Sequence, residues 1–296
     1  MSDKSPSGFL NVNKPAGVTS RDIVNQVQRL FGGRRTKVGH AGTLDPLATG
    51  VLVVAVGQAT RLVEYVQQMR KTYVAKFLLG RHSDTEDIEG TVVEQSDATV
   101  PSEAELRYSL PPFVGQILQR PPVYSALKVN GQRAYALARK GESVQLDARP
   151  IQIYSLELER FQYPEMQLRI ECGSGTYVRS LGRDIAESLR TSAIMSELVR
   201  TQIGAFHQSN SLDPLLFSPG YLQSHLQPLV MATNELTQIP LDSHQQHEIQ
   251  FGRSISVQTH VQDEFAALDA NGHLLAIMDR SQSGHWRPKK NFCVAD

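Results

Sequence analysis

Between Gly39 and Gly50 the chain carries two ionisable side chains, His40 and Asp45, among three glycines and Pro46. An aspartate so placed has two readings. Its carboxylate can cap the element that follows by accepting a backbone N–H. It can also present an anionic oxygen to a ligand, because glycines let a substrate approach the backbone closely. Pro46, directly after it, weakens the capping reading. Local pattern leaves both open.

The remaining candidate groups are less organised. Cys172 and Cys293 lie far apart and neither sits in a metal-type pair. Both read as buried thiols in a reducing compartment. His244 and His247 have a helical metal spacing, but no acidic or thiol ligand accompanies them, so they read as a solvated pair. The chain has no phosphate-binding loop, dinucleotide fingerprint or zinc spacing, and no metal or cofactor is expected.

The elements that must position Asp45 are readable around it. Phe9 to Val12 is a short apolar run ending at the turn signal Lys14-Pro15-Ala16-Gly17. Thr19 and Asp22 have capping-box spacing, and Ile23, Val24, Val27, Leu30 and Phe31 follow with helical periodicity until Gly32-Gly33. The glycine-rich loop then feeds a buried strand, Val51 to Val56. Thr60 to Met69 reads as a helix, and Tyr73 to Leu79 as a strand. Gly80 to Gly90 is an acidic turn region, and Ser102 with Glu105 opens another helix. Ile151 to Phe161 and Gln167 to Cys172 read as strands. Gly173-Ser174-Gly175 turns into a helix carrying Val178, Leu181, Ile185 and Leu189.

From Ser209 to Pro240 prolines, serines and glutamines accumulate, which reads as a connection to a small C-terminal unit. There Ile255, Val257, Phe265 to Leu268 and Leu274 to Met278 are short strands, with a hairpin turn at Asn271-Gly272.

Composition sets the outer limits. The chain has 296 residues, 40% apolar and 20% charged, as in an ordinary globular protein. No apolar run reaches the roughly 18–20 residues of a membrane span. Met1 to Gly8 has no signal-peptide core, so a cytoplasmic location is expected. The net charge is zero, yet charge is segregated. Bases dominate from Met1 to His40 and again from Gln119 to Pro150, while acids cluster between Asp84 and Glu105. If the two basic segments meet in space they form a phosphate-binding face; otherwise they are solvated side chains.

The stretch from Lys14 to Ser20, followed by Gly39 to Gly50, closely resembles the first two motifs of the TruB family. These are bacterial synthases that make pseudouridine at position 55 in the T loop of tRNA. The resemblance continues at Lys71-Thr72-Tyr73, at Arg120-Pro121-Pro122-Val123-Tyr124-Ser125-Ala126, and from Gly173 to Leu181. It covers about the first two hundred residues in motif order. The last sixty or so resemble, more weakly, the PUA-like module of bacterial members.

The resemblance implies an α/β (α+β) fold. Its pseudouridine synthase core has a bent mixed, mainly antiparallel sheet with flanking helices, and a small β-rich PUA-like module follows. Residues 1–235 would be the catalytic domain and 236–296 the RNA-binding module. The site lies in a central cleft. Asp45 is the nucleophile, acting at C1′ or C6 or by a glycal route. Arg179 pairs with Asp45 and holds it charged and oriented. Tyr73 stacks on the base and takes the C5 proton. Gly42, Tyr177 and Leu198 wall the base pocket. His40 fills the space of an everted nucleotide or contacts the T loop, and Lys14 supports the cleft or a phosphate.

The target uridine must be flipped out of the loop. The insertion, about residues 120–145, carries Lys128, Arg133, Arg139 and Lys140 to grip RNA. Arg280, Arg287, Lys289 and Lys290 face the acceptor stem. The partner is then tRNA, without membrane or guide RNA, and the chain is expected to be a monomer. Three competing readings are a tRNA-binding folding factor with little catalysis, a carboxylate glycosidase, and a guide-RNA-dependent synthase of the same broad family, against which the short chain and the absence of basic tails count. The glycosidase would need a second carboxylate near Asp45, and none stands out in the sequence.

Overall fold

The computed structural model describes residues 6–125, 127–129, 131–134, 137, 146–281 and 284–293. Runs of apolar residues with period-2 alternation fold into the main sheet. Its path is formed by β1 (Gly8–Lys14), β2 (Thr49–Val56), β3 (Lys71–Leu79), β4 (Gly115–Gln119), β5 (Arg149–Gln162), β6 (Glu165–Cys172) and β7 (Ala193–Ile203). They lie in the order β1-β2-β7-β3-β6-β5-β4, and Val38–His40 and Phe206–His207 add short strands to β2 and β7. Only β2 with β7 pairs parallel among these neighbours. Register shifts in β5 and β7 are where such a sheet bends. The expected mixed, mainly antiparallel core is present.

Central strand β3 alternates strictly, burying Lys71, Tyr73, Ala75, Phe77 and Leu79 on one face. The Val178–Ser188 helix covers that face with Val178, Leu181 and Ile185. Gly182 is what lets it lie so close: a Cβ there would come within 2.0 Å of the Phe77 ring. Each fully buried large apolar side chain in such a core is worth about 1.5–3 kcal/mol.

The opposite face packs on the 57–68 region and on a second sheet. That sheet comprises β8 (Thr237–Pro240), β9 (Glu264–Leu268), β10 (Leu274–Arg280) and β11 (Trp286–Asn291), in that order. Phe9, Val53, Leu62 and Val66 share one core with Ala266, Leu274, Ile277 and Phe292. The β-rich C-terminal unit therefore docks through apolar contact.

Several expectations need correction. Ile255 makes one isolated bridge to Trp286, and Val257 is in no strand. The predicted helix at Thr60–Met69 is split into a 3-10 turn, Gly57–Leu62, and a short α-helix, Val63–Gln68. Strands β4, β7, β8 and β11 have no counterpart in the sequence reading. The 209–236 segment is built of short helical turns laid on β1, with bridges Val12↔Leu212 and Phe9↔Gln227. One-turn elements are too short to show periodicity. Within the insertion, Lys128–Val129 pairs with Gln132–Arg133; Arg139 and Lys140 lie outside the described residues.

Candidate active site

The backbone around Asp45 is held from four sides. Lys14, the last residue of β1, is completely buried. Its ammonium donates to the carbonyls of Pro15 (2.8 Å), Val18 (2.8 Å) and Pro46 (3.3 Å). Three donors meet three acceptors. Burial lowers the Lys14 pKa to about 8, against the opposing pull of Asp45. Of the two roles expected for Lys14, support of the cleft or of a phosphate, its contacts fit the first, because its charge is engaged in tying Asp45's neighbour to the Pro15–Val18 turn. Gly17 N–H also donates to Pro46 O, at 2.9 Å.

Ser20 supplies the second tether. Its buried hydroxyl accepts from Leu44 N–H at 2.9 Å and donates to Leu44 O at 3.1 Å. The third is Arg200, only 1% exposed, which donates from Nη2 to Gly42 O (3.0 Å) and from Nε to Val51 O (2.7 Å). Gly50 sits between these anchors, paired with Lys14 on one side and Arg200 on the other. Its φ is +96°, and a Cβ would lie 2.3 Å from Arg200 O. The fourth tether is Asp45's own carbonyl, which accepts from Ala48 N–H at 3.0 Å. That bond closes the turn and leaves the carboxylate uninvolved, so the capping reading falls.

The carboxylate instead meets Arg179. Arg179 Nη2 lies 3.2 Å from Asp45 Oδ2, with the side chains 8% and 38% exposed respectively. The same guanidinium reaches Asp87 Oδ2 at 3.3 Å, Thr85 O at 2.7 Å and Tyr124 O at 3.1 Å. Asp87 is buried, and its Oδ1 accepts from Thr85 Oγ1 (2.5 Å) and Glu89 N–H (3.1 Å). Glu86 fixes this acidic turn to the helix through Ser180 Oγ (2.7 Å) and Arg183. Burial pushes the Glu86 carboxyl up, with Arg183 pulling the other way. Burial raises the Glu89 carboxyl too, reinforced by Asp87 and Asp45. The expectation of no second carboxylate near Asp45 is thus overturned: the chain folds Asp87 and Glu89 into the same cleft.

That cleft has a volume of about 740 Å³ and is lined by Asp45, Arg179, Tyr73, Gly42, Tyr177 and Leu198 among others. Six of the sequence-predicted residues are therefore together. Tyr73 is 8% exposed and stands opposite Arg200 across the β3–β7 pair. Its hydroxyl is pushed up by burial. Lys14 lies behind the Asp45 loop. His40, on the short strand beside β2, is not among the lining residues. Its Nδ1 is buried without a hydrogen-bond partner. Burial, then Arg21 and Arg200, lower its pKa.

The bases expected to face an acceptor stem are largely occupied. Arg287 pairs with Asp279 at 3.1 Å, Lys289 with Glu264, and Lys290 with Glu64.

Asp87, Glu89, Lys71, Ser20 and Arg200 were missed in the sequence. Lys71 lines the cleft and donates to Gln67 O and Met69 O, both at 2.7 Å. Burial brings its pKa to about 8. A usable signal existed for Lys71, a cation at an inward position of a strand whose alternate residues are apolar.

Fold and cleft together define an α/β enzyme core in which a glycine-rich loop offers one aspartate to a buried arginine. The domain described as TruB family pseudouridylate synthase (N terminal domain) matches residues 28–178. A tRNA pseudouridine synthase B of Dehalococcoides mccartyi is 39% identical over 291 residues, 97% of this chain and 96% of its own. One from Clostridium novyi is 45% identical over 207 residues, 70% of this chain and 71% of its own. Among solved structures, an H/ACA ribonucleoprotein bound to a substrate RNA containing 2′-deoxyuridine superposes with a TM-score of 0.74 at 23% identity. It covers 98% of this chain and 86% of that one, a likeness of fold. The chain belongs to the TruB family of pseudouridylate synthases.

Proposed function

We propose that this chain isomerises uridine to pseudouridine at position 55 in the T loop of tRNA, with Asp45 as the reacting carboxylate. The observation that carries the reading is the contrast at Asp45: its backbone is tied on every side while its carboxylate stays 38% exposed in the cleft beside Arg179. A nucleophile needs that combination of fixed position and open oxygen. The relatives matched over nearly the whole chain carry the name tRNA pseudouridine synthase B, which supports tRNA as the substrate.

In the reaction the N1–C1′ bond breaks, the uracil turns, and C5 bonds to C1′. C5 then gives up its proton and N1 gains one. Asp45 meets the electron-poor carbon, at C1′ or C6, or removes the C2′ proton. Arg179 orients it through a charge-assisted hydrogen bond. Tyr73 offers a ring face to the flipped base, and its hydroxyl, kept protonated by burial, takes the C5 proton only as it releases its own; Gly42, Leu198 and Tyr177 bound the base. His40 fills the space of an everted nucleotide or contacts the T loop. Lys128, Arg133, Arg139 and Lys140 of the insertion grip the backbone. Residues 1–235 act as the catalytic domain and 236–296 as the RNA-binding module. The enzyme works without guide RNA, as a monomer, in the cytoplasm.

Asp87 does not serve the glycosidase reading as a general acid, because it is buried and shared between Arg179, Thr85 and the Glu89 backbone. A folding factor without catalysis would not need an open carboxylate at Asp45. Pseudouridine mapping on an unmodified tRNA transcript tests the proposal. Conversion at position 55 alone is the expected outcome; no conversion, or conversion elsewhere, contradicts it.

A further inference from the structure

Gln119 is the last residue of β4 and only 1% exposed. Its carboxamide is bonded twice to one backbone unit 58 residues away. Gln119 Nε2 donates to Tyr177 O at 3.0 Å, and Oε1 accepts from Tyr177 N–H at 2.9 Å. Tyr177 is the N-cap residue of the Val178–Ser188 helix and makes no side-chain cap of its own. The carboxamide therefore fixes the backbone from which the helix starts.

Arg179 follows two residues later, and the contact continues beyond Gln119. Arg183 Nη2 donates to Arg120 O at 3.0 Å, and Arg179 Nη2 donates to Tyr124 O at 3.1 Å. The Arg179 nitrogen that meets Tyr124 O is the one lying 3.2 Å from Asp45. The root of the insertion and the start of this helix are thus joined at three points, and Gln119 is the one that acts on the backbone.

We infer that Gln119 is a positioning residue for the Asp45–Arg179 pair, setting the first helical turn so that the guanidinium meets the carboxylate. The inference rests on the proposed reaction for its activity readout. The rest of the helix has other anchors: Leu181 and Ile185 in the core, Gly182 against Phe77, and Ser180 and Arg183 on Glu86. Loss of the carboxamide therefore loosens the Tyr177 cap at the entry to the first turn and leaves the helix in place. The group it orphans is the Tyr177 N–H, which is costly to leave unmet; the Tyr177 carbonyl still accepts from Leu181 N–H at 3.1 Å.

The test compares wild type, Gln119→Leu and Gln119→Glu in single-turnover pseudouridine formation at saturating tRNA, with tRNA affinity and thermal melting measured alongside. Gln119→Leu is expected to slow turnover by roughly tenfold or more while the dissociation constant stays within about twofold. Gln119→Glu retains an acceptor for Tyr177 N–H and is expected to recover part of the rate. A Leu variant at the wild-type rate, or one whose rate loss is matched by lost affinity, overturns the inference. If the Leu variant does not fold, the Glu variant decides: a slowed rate at unchanged affinity supports it, and a wild-type rate overturns it. If wild type binds tRNA but converts none, the proposed reaction has failed and the positioning claim still stands to be judged. Amide hydrogen exchange at Tyr177 and Leu181 then decides: it is expected to speed up in Gln119→Leu, and unchanged exchange overturns the claim.

Discussion

Arg179 and Asp45 meet at 3.2 Å across a gradient of burial, with the arginine 8% exposed and the aspartate 38%. The buried partner also holds Asp87, whose side chain is 4% exposed. One guanidinium therefore serves two carboxylates with different duties: Asp87 fixes the arginine from inside, and Asp45 is left facing the cleft.

Removing Arg179 has two separable consequences. Arg179→Ala strands the buried Asp87 without a counter-charge, which costs about 3–5 kcal/mol of stability. It also removes the partner that orients Asp45. A double variant, Arg179→Met with Asp87→Leu, replaces the buried pair by apolar groups and is expected to recover most of the stability. Its activity is expected to stay lost. Urea unfolding and pseudouridine formation, measured on both variants, check this; recovered activity in the double variant would remove Arg179 from the chemistry.

Ser20 tests whether the loop backbone must be held. Ser20→Ala leaves both Leu44 N–H and Leu44 O without their present partner, at a cost of about 1–3 kcal/mol. Because Leu44 adjoins Asp45, the rate is expected to fall while tRNA affinity is kept. A variant with full rate and lowered melting temperature would make Ser20 a stabilising residue alone.

Stability should rise with pH just above neutrality. Burial brings Lys14 and Lys71 to about 8, from an ordinary lysine value near 10.5. Between those values the unfolded chain binds more protons than the folded one, so stability increases with pH and is lost as pH falls through about 8. Cys172 acts in the opposite sense, since burial raises it from 9 to about 11. The lysine effect is therefore cleanest between pH 8 and 9. Denaturant midpoints across that interval should climb in wild type and flatten in Lys71→Met. Equal slopes in the two proteins would refute the assignment.

That Asp45, Tyr73 and Arg179 share one cleft was legible through the resemblance, since each sits in a segment that matches a TruB-family motif; local pattern alone left Asp45 open between capping and chemistry. The strands beneath them were legible where alternation was long, as in β3. What escaped depends on pairing over distance. Arg200 reaches Val51 across 149 positions, Arg179 reaches Asp87 across 92, and Gln119 reaches Tyr177 across 58. No local pattern encodes those separations. Lys14 was legible as a support of the cleft or of a phosphate but not as one rather than the other, because residue type alone does not say whether an ammonium faces solvent or three carbonyls.

The carboxylate at position 45 is the centre of the account, and Asp45→Asn tests it most directly. The substitution keeps size and leaves the Lys14, Ser20 and Arg200 tethers intact, so binding and stability are expected to hold. Pseudouridine mapping on an unmodified tRNA transcript, with tRNA affinity measured in parallel, should find the variant binding tRNA as wild type does and forming no pseudouridine. Pseudouridine at the wild-type rate in the Asp45→Asn protein would contradict the account.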